Sequence, residues 1–362
     1  MECPAGVRSK HLCITGLTPE KPTTRNWKLT MRFPLSLSFD LARYLVKQQI
    51  QGLEKFPLVL MLEPTHQCNL ACAGCGRIQE YRNTLGDSLT IEECLESVED
   101  CGAPVVTVTG GEPLLYPPVY ELVQELVNRR KHIYLCTNAI LLEKALPRLP
   151  RSPRLTLSIH VDGLAETHDL ILGRAGLFDL ALRAIKAAKD QGFRVCTNTT
   201  IYRESNVREI ESLFAQLTHL GVDGILVSPA YSFQGVAKEL FLSREEIKEK
   251  FSRLHQSPHK FRYFSTPLYL SFLRGERHYD CTPWANPTRN TQGWRAPCYQ
   301  ILDHHYPTFG DLMEKTPWES YGPERDPRCA QCMMHSGFEP SVVRQMGGSL
   351  TDLWTMLRWN LT

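Results

Sequence analysis

Long apolar runs are missing from this chain of 362 residues. No uninterrupted stretch approaches the roughly 20 apolar residues that span a bilayer, so the sequence predicts no transmembrane helix. The first residues also lack the continuous apolar core of a secretory signal. The net charge is only +2, which argues against a protein whose main partner is nucleic acid. Together these absences favour a folded, cytoplasmic protein.

Cysteine, by contrast, is plentiful, with 13 residues. In a cytoplasmic protein so many cysteines indicate metal ligands and free thiols rather than a disulfide framework. Cys68, Cys72 and Cys75 follow one another in the spacing C-x3-C-x2-C. They supply three of the four thiolates that normally complete a [4Fe–4S] cluster, which leaves one iron open to bind a small molecule. A zinc knuckle is the alternative, although zinc sites usually reach four ligands through paired C-x2-C motifs.

Composition and periodicity divide the chain into four segments. Residues 1–33 are rich in Pro, Thr, Lys and Arg without sustained periodicity, which predicts a poorly ordered extension. A helix-like run follows at 34–57, and residues 58–230 alternate strand and helix patterns. Residues 231–362 are rich in loops, proline and cysteine and end in an amphipathic helix.

The alternating segment predicts parallel strands joined by right-handed helical crossovers. Its strand patterns lie at 58–63, 105–109, 133–137, 155–160, 194–201 and 224–228. Its helix patterns lie at 91–100, 120–130, 177–190 and 206–220, and two further helices are predicted at 243–254 and 350–360. Six repeats are too few for an eight-stranded barrel. We therefore predict an α/β fold with a partial (β/α)6 barrel and a cysteine-rich C-terminal extension; a doubly wound open sheet is the alternative.

In either fold, functional residues gather at the carboxyl ends of the strands. The sequence obeys this rule at each repeat. The cysteine triad follows the first strand, and a Gly-Gly-Glu-Pro motif ends the second. Polar or cysteine residues also stand near the ends of the other four strands: Cys136, Asn138, Ser158, Asn198 and Ser228.

The cysteine triad, the glycine motif and the six-repeat core resemble the radical S-adenosylmethionine (SAM) superfamily. The resemblance implies that Cys68, Cys72 and Cys75 hold a [4Fe–4S] cluster whose fourth iron binds the amino and carboxylate groups of SAM. An electron then breaks the sulfonium C–S bond and gives a 5′-deoxyadenosyl radical. A flavodoxin or ferredoxin type protein is the implied reductant. The superfamily usually has an aromatic residue before the third cysteine, where this chain has Gly74.

The same resemblance assigns the SAM contacts. Gly110 and Gly111 allow a close backbone approach, and backbone groups together with Glu112 can receive the ammonium of methionine. Strand-end polar residues are the implied partners of the SAM carboxylate, ribose or adenine, namely Asn138, Ser158, Asn198 and Ser228. Taken singly, each of them also suits an ordinary strand end.

Residues 34–343 resemble, more narrowly, the adenosyl-hopene transferases of hopanoid biosynthesis. In that family the adenosyl radical adds to the terminal alkene of diploptene and gives adenosylhopane. The family's hydrogen donor to the product radical falls on Cys136, whose alternative role is a small residue closing the third strand. The segments that carry the resemblance are 58–64, 68–76, 93–106, 134–139 and 281–290.

A second cysteine set occupies the tail. Cys281, Gly293 and Cys298 have the spacing C-x11-G-x4-C, and Cys329 and Cys332 follow. The set resembles the "twitch" auxiliary domain of radical SAM enzymes, which implies a second [4Fe–4S] cluster; a four-cysteine zinc site and free thiols are the alternatives. Gly293 is expected to turn a hairpin that brings Cys281 near Cys298.

Residues 335 and 336 also bear on the tail site. Related hopene enzymes carry a further cysteine where this chain has Ser336. Four cysteine ligands remain without it. His335 is a substitute ligand in principle, but a solvent-facing histidine is the favoured interpretation.

The substrate side of the prediction has alternatives. A hopene requires an apolar pocket and comes from a membrane, so transient contact with the inner membrane face is expected of such an enzyme. Either the apolar run Phe39, Leu41, Tyr44 and Leu45 or the Trp-bearing C-terminal helix can supply that contact, although packing against the barrel is the commoner role.

Residues 169–176 depart from the hopene enzymes on the substrate side. A related radical SAM enzyme acting on another alkene, a nucleoside-like molecule or a peptide is therefore an alternative. A non-catalytic iron–sulfur or zinc protein is an alternative of another class.

Overall fold

The computed structural model describes residues 31–231, 238–254 and 261–361. The segment predicted to be poorly ordered, residues 1–33, lies outside these ranges except for its last three residues. The strands of the described residues are β1 Val59–Leu62, β2 Val105–Val108, β3 His132–Thr137, β4 Leu155–His160, β5 Arg194–Ile201, β6 Gly224–Pro229, β7 Thr288–Asn290, β8 Gly293–Pro297 and β9 Leu302–Tyr306. They form one sheet in the order β6-β5-β4-β3-β2-β1-β7-β8-β9.

Helices connect the strands and continue beyond them. They are α1 Leu35–Ile50, α2 Gly76–Glu80, α3 Ile91–Cys101, α4 Val119–Asn128, α5 Leu142–Ala145, α6 Ala165–Leu172, α7 Leu177–Asp190, α8 Val207–His219, α9 Arg244–Leu254, α10 Pro267–Leu273, α11 Phe309–Lys315, α12 His335–Gln345 and α13 Leu350–Leu361. The apolar stripe of α4 is fully buried, as its three- and four-residue spacing predicts.

The predicted α/β architecture is confirmed. Strands β1 to β6 pair in parallel with their sequence neighbours, which gives the expected six-repeat barrel. The C-terminal extension prolongs the same sheet: β7 pairs in parallel with β1, and β8 and β9 follow in antiparallel pairing. Gly293 begins β8 directly after a two-residue turn and has a φ of +131°, so the expected hairpin forms there.

The strand register places inward-facing side chains in layers. Cys136 of β3, Ser158 of β4 and Cys196 of β5 are neighbours across the sheet and form one layer. His160 and Asn198 form the next layer toward the carboxyl ends. Residues at the alternate positions of these strands, such as Leu157, pack in the main core beneath the helices.

A phenylalanine closes the floor of the barrel. Gly224 begins β6, and a Cβ on it would overlap the ring of Phe264. The ring is almost completely buried, and Arg194 and Phe33 lie close to it. The small residue on β6 therefore makes room for an aromatic plug, and the interior opens toward the carboxyl ends of the strands.

The four residues of the apolar run that precedes the first strand lie on helix α1 and differ in their exposure. Leu41, Tyr44 and Leu45 are half-buried, and the Tyr44 hydroxyl donates to the Pro57 carbonyl at 2.8 Å. Phe39, in contrast, is 68% exposed. Packing thus accounts for three of the four residues. Within the described residues, no helix combines the length and apolarity that crossing a bilayer requires.

Candidate active site

The loop between β1 and α2 carries the cysteine triad. Cys75 N–H donates to the Cys72 carbonyl at 3.1 Å, which brings the two ends of this turn together. Cys68 and Cys72 pack against a small apolar cluster that contains Leu70 and Leu172. Burial, together with the charges of the neighbouring Cys75 and Cys68, raises the pKa of Cys72 to about 12. The three thiols therefore lie within electrostatic reach of one another.

The three cysteines fit the [4Fe–4S] cluster that the sequence implies. All three cysteines are free and only partly buried, so their sulfur atoms are available as ligands. Asn198 of β5 lies in the layer with His160, toward the carboxyl ends of the strands. Its Oδ1 is buried without a hydrogen-bond partner. It is available to a bound polar molecule. Within residues 31–361 as described, no three or more His, Cys, Asp or Glu side chains lie close enough to share one metal ion.

The two glycines after β2 press against the cysteine loop. A Cβ on Gly110 would overlap the Thr65 carbonyl, and a Cβ on Gly111 would overlap the Gln67 carbonyl. Gly111 N–H donates to Thr65 O at 3.0 Å, and Glu112 N–H donates to Gln67 O at 2.8 Å. The glycines thus permit close contact with protein backbone just before Cys68, a neighbour that the sequence interpretation did not include.

Glu112 ties the glycine loop to β3. Thr137 Oγ1 donates to its Oε1 at 2.8 Å, Asn138 N–H donates to its Oε2 at 2.9 Å, and Leu114 N–H donates to Oε1 at 3.1 Å. Burial raises the pKa of Glu112 to about 7, and these three donors lower it. Since the side chain is 1% exposed, its observed role is to fix the loop; a contact with a ligand's ammonium stays a prediction.

Cys136 faces the interior beside two hydroxyl groups. Burial raises the pKa of Cys136 to about 11, while hydrogen bonds with Ser158 and Thr109 lower it. Ser158 also hydrogen-bonds Cys196, the next residue in the layer, which is fully buried. Cys136 itself retains accessible surface. Cys136 is therefore a neutral thiol that is accessible from the barrel interior.

The other predicted SAM contacts occupy different environments. Asn138 Nδ2 donates to Asn69 Oδ1 at 2.8 Å, which joins the end of β3 to the cysteine loop. Ser228 is buried, and its Oγ accepts from His335 N–H at 3.2 Å. Asn138 and Asn198 lie at the carboxyl end with the cysteine loop, whereas Ser158 belongs to the Cys136 layer and Ser228 anchors α12.

A histidine–aspartate pair at the end of β4 was missed from the sequence. His160 Nε2 and Asp162 Oδ2 are 2.6 Å apart, and Thr200 N–H donates to Asp162 Oδ1 at 2.7 Å. Burial lowers the pKa of His160, but the carboxylate of Asp162 outweighs it and the net shift is upward. Asp162 N–H also donates to His168 Nδ1 at 3.2 Å. The alternation Ser-Ile-His-Val-Asp, which turns three polar side chains inward, was the available signal.

The residue before the third cysteine also has an unexpected neighbour. A Cβ on Gly74 would overlap the phenol of Tyr202, which follows β5. Tyr202 is buried and packs in a small cluster with Phe241. The aromatic ring that the superfamily usually carries at position 74 thus has no room here, and the ring of Tyr202 lies in that space.

The four tail cysteines line one pocket. They are Cys281, Cys298, Cys329 and Cys332. Burial raises the pKa of Cys281, and the charges of the other three cysteines raise it further. The lining also includes Gln300 and Asn286, whose side-chain oxygens are buried without a partner. Four free thiols around one pocket match in number the ligands of a [4Fe–4S] cluster and of a zinc site, although no three of these described side chains lie close enough to share one metal ion.

The expectation of a solvent-facing His335 is wrong. Burial lowers the pKa of His335 to about 4, and its Nδ1 is buried without a partner. The residue begins α12, and its backbone N–H binds Ser228 on β6, so the docking of this helix carries the ring inside. Ser336 lines the four-cysteine pocket and accepts from Gln300 Nε2 at 2.8 Å.

A buried charged network joins the two cysteine sites. Arg77, two residues after Cys75, pairs with Glu63 at 3.5 Å and donates to the carbonyl of Tyr299 in the tail. Arg295 of β8 pairs with Glu80 on α2. Because Glu63, Arg77 and Arg295 are almost completely buried, each of these charges depends on its ion-pair partner for solvation. The network fixes the tail hairpin against the helix that follows the triad.

Comparison with known proteins agrees with this geometry. A family model described as the radical SAM superfamily matches residues 62–217, and one described as a domain of unknown function (DUF3463) matches residues 225–356. The first match contains the cysteine triad, the glycine motif and Cys136. The fold and this match together define residues 62–217 as a radical SAM domain. Such domains use a [4Fe–4S] cluster together with SAM.

Individual proteins resemble the same region. The AdoMet-dependent heme synthase of Methanosarcina barkeri is 31% identical over 170 residues, covering 46% of this chain and 48% of that protein. The GTP 3′,8-cyclase of Thermodesulfovibrio yellowstonii is 30% identical, covering 51% of this chain and 60% of that protein. This chain spans about half the length of the curated relatives it matches. Streptococcus suis SuiB bound to the precursor peptide SuiA has a similar fold, with a TM-score of 0.60 at 15% identity over 85% of this chain and 78% of SuiB.

Proposed function

We propose that this protein is a radical SAM enzyme that adds the adenosyl group to the terminal alkene of a hopene such as diploptene and gives adenosylhopane, with Cys136 as hydrogen donor. The substrate comes from the sequence resemblance. One observation carries the chemistry: Cys136 presents a neutral thiol to the barrel interior, within electrostatic reach of Glu112 in the glycine loop. When bound, the cluster and SAM supply the 5′-deoxyadenosyl radical.

The surroundings of Cys136 suit a hydrogen-atom donor. Its pKa of about 11 keeps the S–H bond intact at neutral pH, whereas a thiolate would have no hydrogen to give. The side chains of Thr109, which follows β2, and of Ser158 on β4 hold the sulfur by hydrogen bonds. An S–H bond is weaker than a tertiary C–H bond, so transfer from sulfur to a tertiary carbon radical is downhill.

The proposed reaction balances as follows. Addition of the adenosyl radical forms a C–C bond, consumes the alkene π bond and leaves an unpaired electron on the tertiary carbon. The S–H bond of Cys136 then breaks, the hydrogen atom completes the product, and a thiyl radical remains on sulfur. One electron from a flavodoxin or ferredoxin type reductant and one proton restore the thiol. A second electron from the same source is consumed in each cleavage of SAM.

Modification of a peptide or another polar substrate is the second candidate function. Glu339 of α12 lies within electrostatic reach of the inward-facing Tyr134, and His335 stands one turn earlier on the same helix. Burial raises the pKa of Glu339 to about 7 and lowers that of His335 to about 4. Glu339 already accepts hydrogen bonds from Thr266, but His335 Nδ1 is buried without a partner, and polar substrate atoms could satisfy it where a pure hydrocarbon could not. The fold resemblance to SuiB, solved with a precursor peptide, favours the same candidate.

Product analysis tests the proposal. The protein is reconstituted with iron and sulfide under anaerobic conditions, reduced, and incubated with SAM and diploptene. The expected product is the adenosine adduct, detected by mass spectrometry, together with methionine. Free 5′-deoxyadenosine without an adduct would retain the radical SAM activity and reject the hopene substrate. No cleavage of SAM by the loaded protein would favour the non-catalytic alternative.

A further inference from the structure

The outward face of α1 is apolar. Leu35, Phe39, Val46 and Ile50 are spaced at four, seven and four residues, and each is more than half exposed. The inward face of the same helix is mixed, because Leu37 and Gln48 are buried and Tyr44 is half-buried. A surface helix normally turns polar residues toward water. The outward stripe of α1 therefore has no role in the packing of the described protein.

Helix α13 departs further from the usual pattern, because its buried residues are polar and its exposed residues are apolar. Its buried residues are Asp352 and Asn360, whereas its outward side carries a stripe of large apolar residues: Leu350, Leu353, Trp354, Leu357 and Leu361. Trp354 is 65% exposed. The free-energy cost of leaving such residues in water is on the order of 2 kcal/mol for each large side chain. An apolar partner would remove that cost.

The two helices are neighbours. Arg32 N–H donates to Asn360 O at 3.1 Å, and Phe33 N–H donates to Asn360 Oδ1 at 2.6 Å. The rings of Phe33 and Trp359 stack edge to face, 5.3 Å apart. The residues just before α1 therefore meet the last turn of α13. We call the exposed stripes of these two helices, with the residues named above, the apolar platform.

The charges around the platform are basic. Each helix contains one carboxylate, and each carboxylate has cationic partners in the protein: Asp40 lies 3.0 Å from Arg154, and Asp352 lies 2.7 Å from Arg277. Arg43 and Lys47 are exposed on the flank of the α1 stripe. The net electrostatic character that these helices present to the outside is therefore positive.

We infer that the apolar platform is a docking surface for a lipid bilayer that contains anionic headgroups. Trp354 and Phe39 insert at the interface, the leucines contact the acyl boundary, and Arg43 and Lys47 meet the headgroups. A second copy of the chain fits less well. A two-fold interface brings the same patch against itself, which would place Arg43 and Lys47 against an equally basic surface.

Vesicle flotation tests this inference on the full chain. The probes are phosphatidylcholine vesicles with and without phosphatidylglycerol. The protein is expected to float with the anionic vesicles, and added salt is expected to weaken the binding because it screens the headgroups. Trp354→Ser with Leu357→Ser is expected to lower the binding constant roughly tenfold or more. Leu170→Ser is the control, because Leu170 is even more exposed than Trp354 and Leu357 but lies on α6.

Two further measurements show whether a bilayer, a second copy or the chain itself covers the apolar platform. Sedimentation velocity without lipid is expected to show a monomer. The fluorescence of Trp354 is the part of the signal that Trp354→Phe removes, and acrylamide is expected to quench it. A dimer that the platform substitutions dissociate would identify a second copy as the partner and overturn the inference. Shielding of Trp354 in a lipid-free monomer would instead show that the chain covers its own platform. Vesicle binding that is absent, or unchanged by the platform substitutions, would also overturn it. None of these outcomes depends on the substrate of the enzyme.

Discussion

Gly111 lies against the backbone carbonyl of Gln67, at the point where the cysteine loop follows β1, and no space for a Cβ remains between them. Two hydrogen bonds join the same segments: Gly111 N–H donates to Thr65 O, and Glu112 N–H donates to Gln67 O. The glycine motif and the cysteine loop therefore form one unit. The glycine is required because a protein backbone approaches it so closely, whether or not a ligand also does.

The first prediction follows from this contact. Gly111→Ala is expected to displace the loop that precedes Cys68, with a loss of about 3 kcal/mol in unfolding free energy, as overpacking of a tight site typically costs. Iron content after reconstitution should fall as well. Gly86→Ala is the control, because no atom lies within 4 Å of a Cβ built on Gly86. Equal iron content and equal thermal stability in both variants would show that the contact is dispensable.

Cys136→Ala separates radical formation from hydrogen donation. The variant is expected to cleave SAM at close to the wild-type rate, because Cys136 is not one of the cluster ligands. It should accumulate little saturated adduct, since no other donor replaces the thiol. Cys196→Ala is the matched control, as Cys196 lies in the same layer but is fully buried. The two products are quantified together by liquid chromatography and mass spectrometry.

Protonation of Glu339 is expected to make stability depend on pH. Burial raises the pKa of Glu339 from 4.5 to about 7, while the Thr266 N–H and Oγ1 donors lower it. The folded state thus binds a proton that the unfolded state releases between these pH values. Stability from this group is complete below pH 4.5 and decreases as the pH rises to about 7, by about 3 kcal/mol.

Urea unfolding across that pH range measures the effect. Glu339→Gln keeps the shape of the side chain but cannot ionise, so its free energy of unfolding should fall less between pH 5 and pH 7.5 than that of the wild type. Glu96→Gln, at an exposed position of α3, should follow the wild type. A slope for Glu339→Gln equal to that of the wild type would show that Glu339 binds no extra proton in the folded state.

Metal analysis distinguishes the alternatives at the tail cysteines. Replacing Cys329 and Cys332 by alanine should remove about four iron atoms per chain and leave the triad loaded, if the pocket holds a [4Fe–4S] cluster. Removal of zinc, with iron unchanged, would identify a zinc site instead. The control is Cys94→Ala with Cys101→Ala, two buried cysteines on α3 that line neither site.

Local patterns in the sequence predict much of the fold. The bounds of β4, β5 and α7 agree residue for residue with the predicted ranges, because each element is enclosed by turn residues and has a clear period. The cysteine triad follows β1 and the glycine motif follows β2, as the rule for parallel strands requires. Those sites are local, so a single stretch of sequence defines each of them.

Contacts between distant segments explain what the sequence does not predict. The pairing of β7 with β1 joins residues that are more than 200 positions apart, and no local pattern encodes it. His335 is polar and follows a loop, which favours exposure, but α12 docks on β6 and buries the Nδ1 atom of the ring. The partner of the glycine pair is likewise a backbone carbonyl, which has no sequence signature.

A single anaerobic turnover with diploptene in D2O tests the central claim most directly. The Cys136 thiol exchanges its hydrogen with solvent, so the account predicts an adenosine adduct that carries a single deuterium, on the tertiary carbon formed from the alkene. An adduct without that deuterium would show that the hydrogen comes from a carbon-bound source. An unchanged deuterium content and yield in Cys136→Ala would also contradict the account.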